Sequence, residues 1–89
     1  TRAENLRTDN TTLSFRNQYL TNPKAYIFKN YLRKEIKTLD MSSNLIQNIS
    51  HDLFNEFIYL NNLNLSTNLI EKIDNYIFRN LNYLQILRL

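Results

Sequence analysis

Glycine and cysteine are both missing from the 89 residues, tryptophan is missing too, and proline occurs once. Each absence excludes something. Without glycine there is no glycine-rich loop to cradle a phosphate. Without cysteine there are no disulfides and no thiolate metal sites, and the redox compartment is left open. No run approaches the roughly 20 apolar residues that a membrane-spanning helix requires, so no membrane span is expected. The first residues are charged, with no apolar block of the signal-peptide kind. Hydrophobic residues nonetheless make up 43% of the chain, enough for one folded domain with a modest core.

Charge is unevenly spread. Residues 1–37 hold eight Lys/Arg against three acids and residues 38–89 hold three against five, so a net +3 divides into +5 and −2. The basic half would suit an acidic partner, yet its charges are scattered, which is the pattern of a solvated surface. Asparagine is the compositional outlier, at fifteen residues.

The chain repeats itself. Residues 36–59, IKTLDMSSNLIQNISHDLFNEFIY, align without a gap on residues 60–83, LNNLNLSTNLIEKIDNYIFRNLNY. Ile36 falls on Leu60, Leu39 on Leu63, Met41 on Leu65 and Asn44 on Asn68. Further along, Ile46 falls on Ile70, Ile49 on Ile73, Phe54 on Phe78 and Phe57 on Leu81. A third copy opens at Leu84 and matches at Leu87 and Leu89. An earlier, degenerate copy places Leu13, Phe15, Gln18, Leu20, Pro23, Phe28 and Tyr31 in the same roles at an offset of 26, with two extra residues in 31–35. The organisation is therefore an N-terminal segment, 1–11, a degenerate repeat, 12–35, two full repeats, 36–59 and 60–83, and the start of another, 84–89.

The pattern L-x-x-L-x-L-x-x-N-x-I-x-x-I-x-x-x-x-F-x-x-L resembles the leucine-rich repeat, in the 24-residue form of extracellular receptors and matrix proteins such as Toll-like receptors. That resemblance implies an α/β solenoid with a parallel β-sheet on the concave face and with loops and short helical turns on the convex side. It implies a receptor-like protein-binding module, extracellular or at the cell surface, and no cofactor. An intracellular scaffold or structural subunit, cytoplasmic, is the alternative. Repeats of this form are usually flanked by cysteine-rich caps, which are absent here. A segment of a longer array is therefore expected, with the edge at Leu87–Leu89 covered by further repeats or by a partner.

The residues themselves argue for the same shape. Around Leu39–Met41 and Leu63–Leu65, apolar and polar residues alternate with the period-2 signature of a half-buried strand. Leu39, Met41, Leu63, Leu65, Leu87 and Leu89 should point inward. Thr38, Asp40, Ser42, Asn62, Asn64, Ser66, Ile86 and Arg88 should point outward, extended by Thr12, Ser14 and Arg16. Strands separated by a full turn of chain must pair in parallel, about 4.8 Å apart. Asn44 and Asn68 follow the strands. An amide both donates and accepts, so they should form an asparagine ladder that satisfies backbone groups of adjacent turns.

Ile46, Ile49, Ile70 and Ile73 should close the core, and Phe54 and Phe78 should stack into a spine, each burying about 150–250 Å². Ser50 and Asp74 are placed to cap short helical turns. Asn22-Pro23 reads as an N-cap followed by a favoured first helical residue. With Ala25, Phe28, Leu32 and Ile36 at helical spacing, a short helix is predicted near 23–33.

Candidate sites are few. The outward residues Thr38, Asp40, Ser42, Asn62, Asn64, Ser66, Ile86 and Arg88 form the candidate binding face, since such sheets present rigid, regularly spaced side chains. They include no aromatic anchor. Asn10, Asn48 and Asn64 each begin an N-x-S/T sequon, the acceptor pattern of a glycoprotein, though a chain so rich in these residues yields a couple by chance. Modification at Asn64 would obstruct the sheet face around it. Tyr19, Tyr26, Tyr59, Tyr76 and Tyr83 are expected to cover the convex side.

The single histidine, His51, is expected at the surface rather than as a general base or metal ligand. The acids show no pairing that would drive their ionisation apart, so no enzyme is expected. The Lys/Arg of 24–37 lack aromatic interleaving on a shared face, and no nucleic-acid partner is expected.

Overall fold

The computed structural model describes residues 11–89. Four three-residue strands, β1 (Thr12–Ser14), β2 (Thr38–Asp40), β3 (Asn62–Asn64) and β4 (Ile86–Arg88), form one parallel sheet in the order β1-β2-β3-β4. Leu13 pairs with Leu39, Leu39 with Leu63, and Leu63 with Leu87, so the chain advances 26 residues at the first step and 24 at the next two. The longer first step contains a 3₁₀ turn at Arg33–Glu35 that the later steps lack.

The core lies between the sheet and the loops that return to it. Leu13, Leu39 and Leu63 at the strand centres are fully buried, as are Met41, Ile46, Ile36 and Leu60. Leu53 and Ile77, at the same place in successive repeats, are also buried, and Ile27, at that place in the first step, packs half-buried against the core. At β4, which has no strand on its outer side, Leu87 is 38% and Leu89 62% exposed. These two, expected to point inward, are therefore left exposed at this edge.

The aromatic packing is more extensive than a stack of two rings. Phe54 and Phe78 do stack, with centroids 6.4 Å apart and planes 11° apart. A second series runs edge to face, Phe15 to Phe28 at 5.4 Å and Phe28 to Phe57 at 4.8 Å.

The helix predicted near 23–33 does not form. That segment contains a 3₁₀ turn at Ala25–Phe28, followed by the one at Arg33–Glu35, and no α-helix occurs among the described residues. The reason is lateral crowding. Successive strands repeat about every 4.8 Å, whereas α-helices side by side need about 8–10 Å. Short 3₁₀ turns ease the mismatch.

Capping follows suit. The turn at Ala25–Phe28 begins after Lys24, not Asn22, with no side-chain cap. Ser50 caps nothing with its hydroxyl, which is buried without a hydrogen-bond partner, and its carbonyl accepts from Leu53 N instead. Asp74 does cap as expected, accepting from Tyr76 N at 2.9 Å ahead of the 3₁₀ turn at Asn75–Phe78.

Leaving β1, β2 and β3, the chain makes a left-handed turn at a residue that is not glycine: Asn17 (φ 60°), Ser43 (φ 57°) and Thr67 (φ 55°), with Tyr19 (φ 59°) nearby. This conformation costs an L-residue roughly 1–2 kcal/mol, least for asparagine and most for a β-branched side chain. Thr67 is exposed. Thr67→Asn is therefore expected to raise stability by about 0.5–1 kcal/mol, a gain of a few degrees in Tm for a domain of this size. Differential scanning calorimetry would show it, and a lower Tm would contradict the strain assigned to this turn.

Candidate binding face

Register places the outward side chains of the strands in rows. Thr12, Thr38, Asn62 and Ile86 form one, and Ser14, Asp40, Asn64 and Arg88 the next. On β1, β2 and β3 these outward residues are half-buried around a buried centre, while Ile86 and Arg88 are exposed. A carboxylate and a guanidinium thus flank an amide in the second row.

Two of these side chains are held by their own turns. Asp40 Oδ1 accepts from Ser42 N at 2.9 Å and from Ser42 Oγ at 2.6 Å. Asn64 Oδ1 accepts from Ser66 N at 3.0 Å and from Ser66 Oγ at 2.6 Å. Ser42, expected to point outward, is buried instead. Its hydroxyl donates to Asp40 and accepts from the Arg16 guanidinium at 3.4 Å, which draws the side chain beneath that arginine. Ser66 remains half-exposed.

Asn64 is an amide in the place of Asp40 and makes the same pair of contacts, so the charge is not needed for the turn. Asp40→Asn is accordingly expected to change stability by less than about 0.5 kcal/mol, and Asp40→Ala to cost about 1 kcal/mol for the lost bonds. Urea denaturation of the two variants checks this, and equal losses would mean that the carboxylate charge matters.

Behind the face, the two strand-following asparagines reach into the preceding step. Asn44 Oδ1 accepts from Gln18 N and Leu20 N, and its Nδ2 donates to the carbonyls of Phe15, Met41 and Ser42. Asn68 Oδ1 accepts from Ile46 N, and its Nδ2 donates to the carbonyls of Met41, Leu65 and Ser66. Gln18, in the equivalent place, donates through Nε2 to Arg16 O.

His51 lies on the opposite side, exposed. Its Nε2 is 3.4 Å from Asp74 Oδ2 and its ring is edge-on to Tyr76. Arg79 donates to His51 O and stacks its guanidinium 4.1 Å from the Tyr76 ring centroid. Asp74 is already engaged in capping, so this cluster ties two neighbouring loops together. Among the described residues no three His, Cys, Asp or Glu side chains gather as they would around a metal. No helix among them is long and apolar enough to cross a membrane.

Parallel strands 24 or 26 residues apart, with an amide bonding back after β2 and after β3, are the geometry that the repeat pattern implied. The family model described as leucine rich repeat matches residues 34–89, more than half of the chain. The chain belongs to the leucine-rich-repeat family. Domains of this family generally mediate protein–protein binding. No curated protein and no solved structure matches the chain significantly.

Within this leucine-rich-repeat chain the three sequons differ in setting. Asn48 is exposed in the loop after β2, and Asn64 is half-buried on the sheet face with its carbonyl oxygen engaged. Asn10 lies outside the described residues. The tyrosines also differ. All five are exposed, but Tyr59 and Tyr83 line a groove with Thr11, Lys37, Thr38 and Asn61 where the strands begin, not the convex side expected for them. Sequence reasoning named both tyrosines without pairing them. The available signal was their spacing of 24 residues, two positions ahead of corresponding asparagine and glutamine residues.

Proposed function

We propose that this chain is the recognition segment of an extracellular or cell-surface leucine-rich-repeat protein, a receptor ectodomain or a secreted binder, and that it engages a protein ligand through the outward sheet face. The observation that carries the reading is the register itself. It aligns Thr38, Asn62 and Ile86, and Asp40, Asn64 and Arg88, in rows on a rigid parallel sheet. The serine contacts that fix Asp40 and Asn64 reduce the entropy lost when a ligand docks on them. The 24-residue repeat supports the extracellular setting, and the exposed Asn48 has room for a glycan.

Glycopeptide mass spectrometry of the protein from its natural source tests the setting. Hexose-bearing mass on Asn10, Asn48 or Asn64 is the expected result. A glycan on Asn64 would move the ligand away from the centre of the sheet face. A second reading, a subunit packed permanently into a larger intracellular assembly, is favoured by the absence of cysteine and by the apolar edge of Ile86, Leu87 and Leu89. Unmodified asparagines at all three sequons would select it.

A further inference from the structure

We propose that the groove between Tyr59, Tyr83 and Lys37 is a docking site for an acidic protein segment that lays an apolar or aromatic side chain against the tyrosine pair. The proposal rests on the chain being a protein-binding module and names one partner chemistry for it.

Three observations converge at this end of the sheet. First, Tyr59 and Tyr83 occupy the same place in successive repeats, with ring centroids 5.5 Å apart and planes at 42°. They are 49% and 59% exposed, so much of their aromatic surface still faces water. Tyrosine is among the residue types that anchor interfaces, because a large rigid ring is buried at little entropic cost. The outward rows of β2, β3 and β4 hold no aromatic residue at all.

Second, the rings border a groove of about 510 Å³ whose remaining walls are Thr11, Lys37, Thr38 and Asn61. Thr38 is also in the first row of the sheet face, and Asn61 precedes Asn62, so the groove continues into that face.

Third, the charged residue that lines the groove is a base, Lys37. Arg33 is joined to Glu56 at 3.8 Å. Lys34 and Lys37 have no ion pair among the described residues. Both are exposed. A carboxylate on a partner would find the Lys37 ammonium group already beside the rings, which favours encounter and register.

Selection from a random-peptide display library against the whole chain tests the proposal. Enriched peptides are expected to combine Asp or Glu with an aromatic or branched apolar residue. They should bind Tyr83→Ala and Lys37→Glu at least about tenfold more weakly, while Tyr83→Phe, which keeps the ring, binds as before. Both positions are exposed, and unchanged urea midpoints would show that the variants are folded. Enriched peptides that are basic, or that bind these variants normally, would overturn the groove. If their binding is instead lost on Asn62→Lys and Arg88→Glu, the sheet face remains the binding surface and only the groove fails. No enrichment at all would overturn both readings. A dimer in analytical ultracentrifugation that Tyr83→Ala abolishes would assign the groove to a second copy of the chain and overturn the acidic partner.

Discussion

Replacing Asn44 with leucine is expected to lower the unfolding free energy by about 3 kcal/mol or more. Leucine has nearly the same volume and suits a buried position, so the effect isolates the amide. Asn44 is 5% exposed and serves five backbone groups. Its oxygen accepts from the amides of Gln18 and Leu20, and its nitrogen donates to the carbonyls of Phe15, Met41 and Ser42. Each buried backbone group left unpaired costs about 1–3 kcal/mol. Water can reach the half-exposed Gln18 and Leu20 more easily than Phe15 and Met41, which limits the sum. A domain of this size has about 5–13 kcal/mol in all, so the substitution consumes a large share.

Asn68→Leu is the natural control. Asn68 is half-exposed and accepts one backbone amide, that of Ile46, where Asn44 accepts two. Its loss should be smaller, about 1–2 kcal/mol. Urea unfolding of both variants measures the difference, with the midpoint shifting and the slope unchanged. Equal losses, or a larger one at Asn68, would show that the stability of this turn does not come from the bonds to the preceding step.

How much of this was legible in the sequence depends on whether a feature is set locally. Alternation around Leu39–Met41 and Leu63–Leu65 is a property of a few residues, and the strands formed there with Leu39 and Leu63 fully buried. The parallel sheet followed from the repeat, because identical strands a full turn apart have no other way to pair. The segments between the strands were not legible in this way. Residues 23–33 have helical spacing, but the room available to them is fixed by the neighbouring repeat, and 3₁₀ turns result.

The same neighbour effect buries Leu53 and Ile77 more deeply than Phe78, although the phenylalanine is the more hydrophobic-looking landmark. Ser42 was misplaced because alternation carries only to the end of the strand. Beyond Asp40 the chain turns, and hydrogen bonds to Asp40 and Arg16 decide the side chain's direction. The Tyr59–Tyr83 groove was beyond reach for a related reason. Its walls come from residues that are distant in sequence and meet only where the segments leading into the four strands lie side by side.

Phe28→Ala is expected to cost about 3–5 kcal/mol, the range for removing a fully buried ring. Phe28 has no exposed surface. It is the middle member of the edge-to-face series, touching Phe15, which follows β1, and Phe57, which precedes β3. Alanine would open a cavity between the first and second steps of the coil and remove two aromatic contacts, each worth about 0.5–1.5 kcal/mol beyond buried area. Repeats pack only on their neighbours, so the damage should be directional. Hydrogen exchange in Phe28→Ala should lose protection first at the amides of β1 and the loop behind it, with β3 protected longer. Phe78→Ala removes a half-buried ring from the far side of the stack and should cost less, about 1–2 kcal/mol. If Phe78→Ala proves the more damaging, the core is centred on the later repeats and the edge-to-face series is incidental. If Phe28→Ala releases the first step while the rest stays folded, the series is what fastens the degenerate repeat to the regular ones.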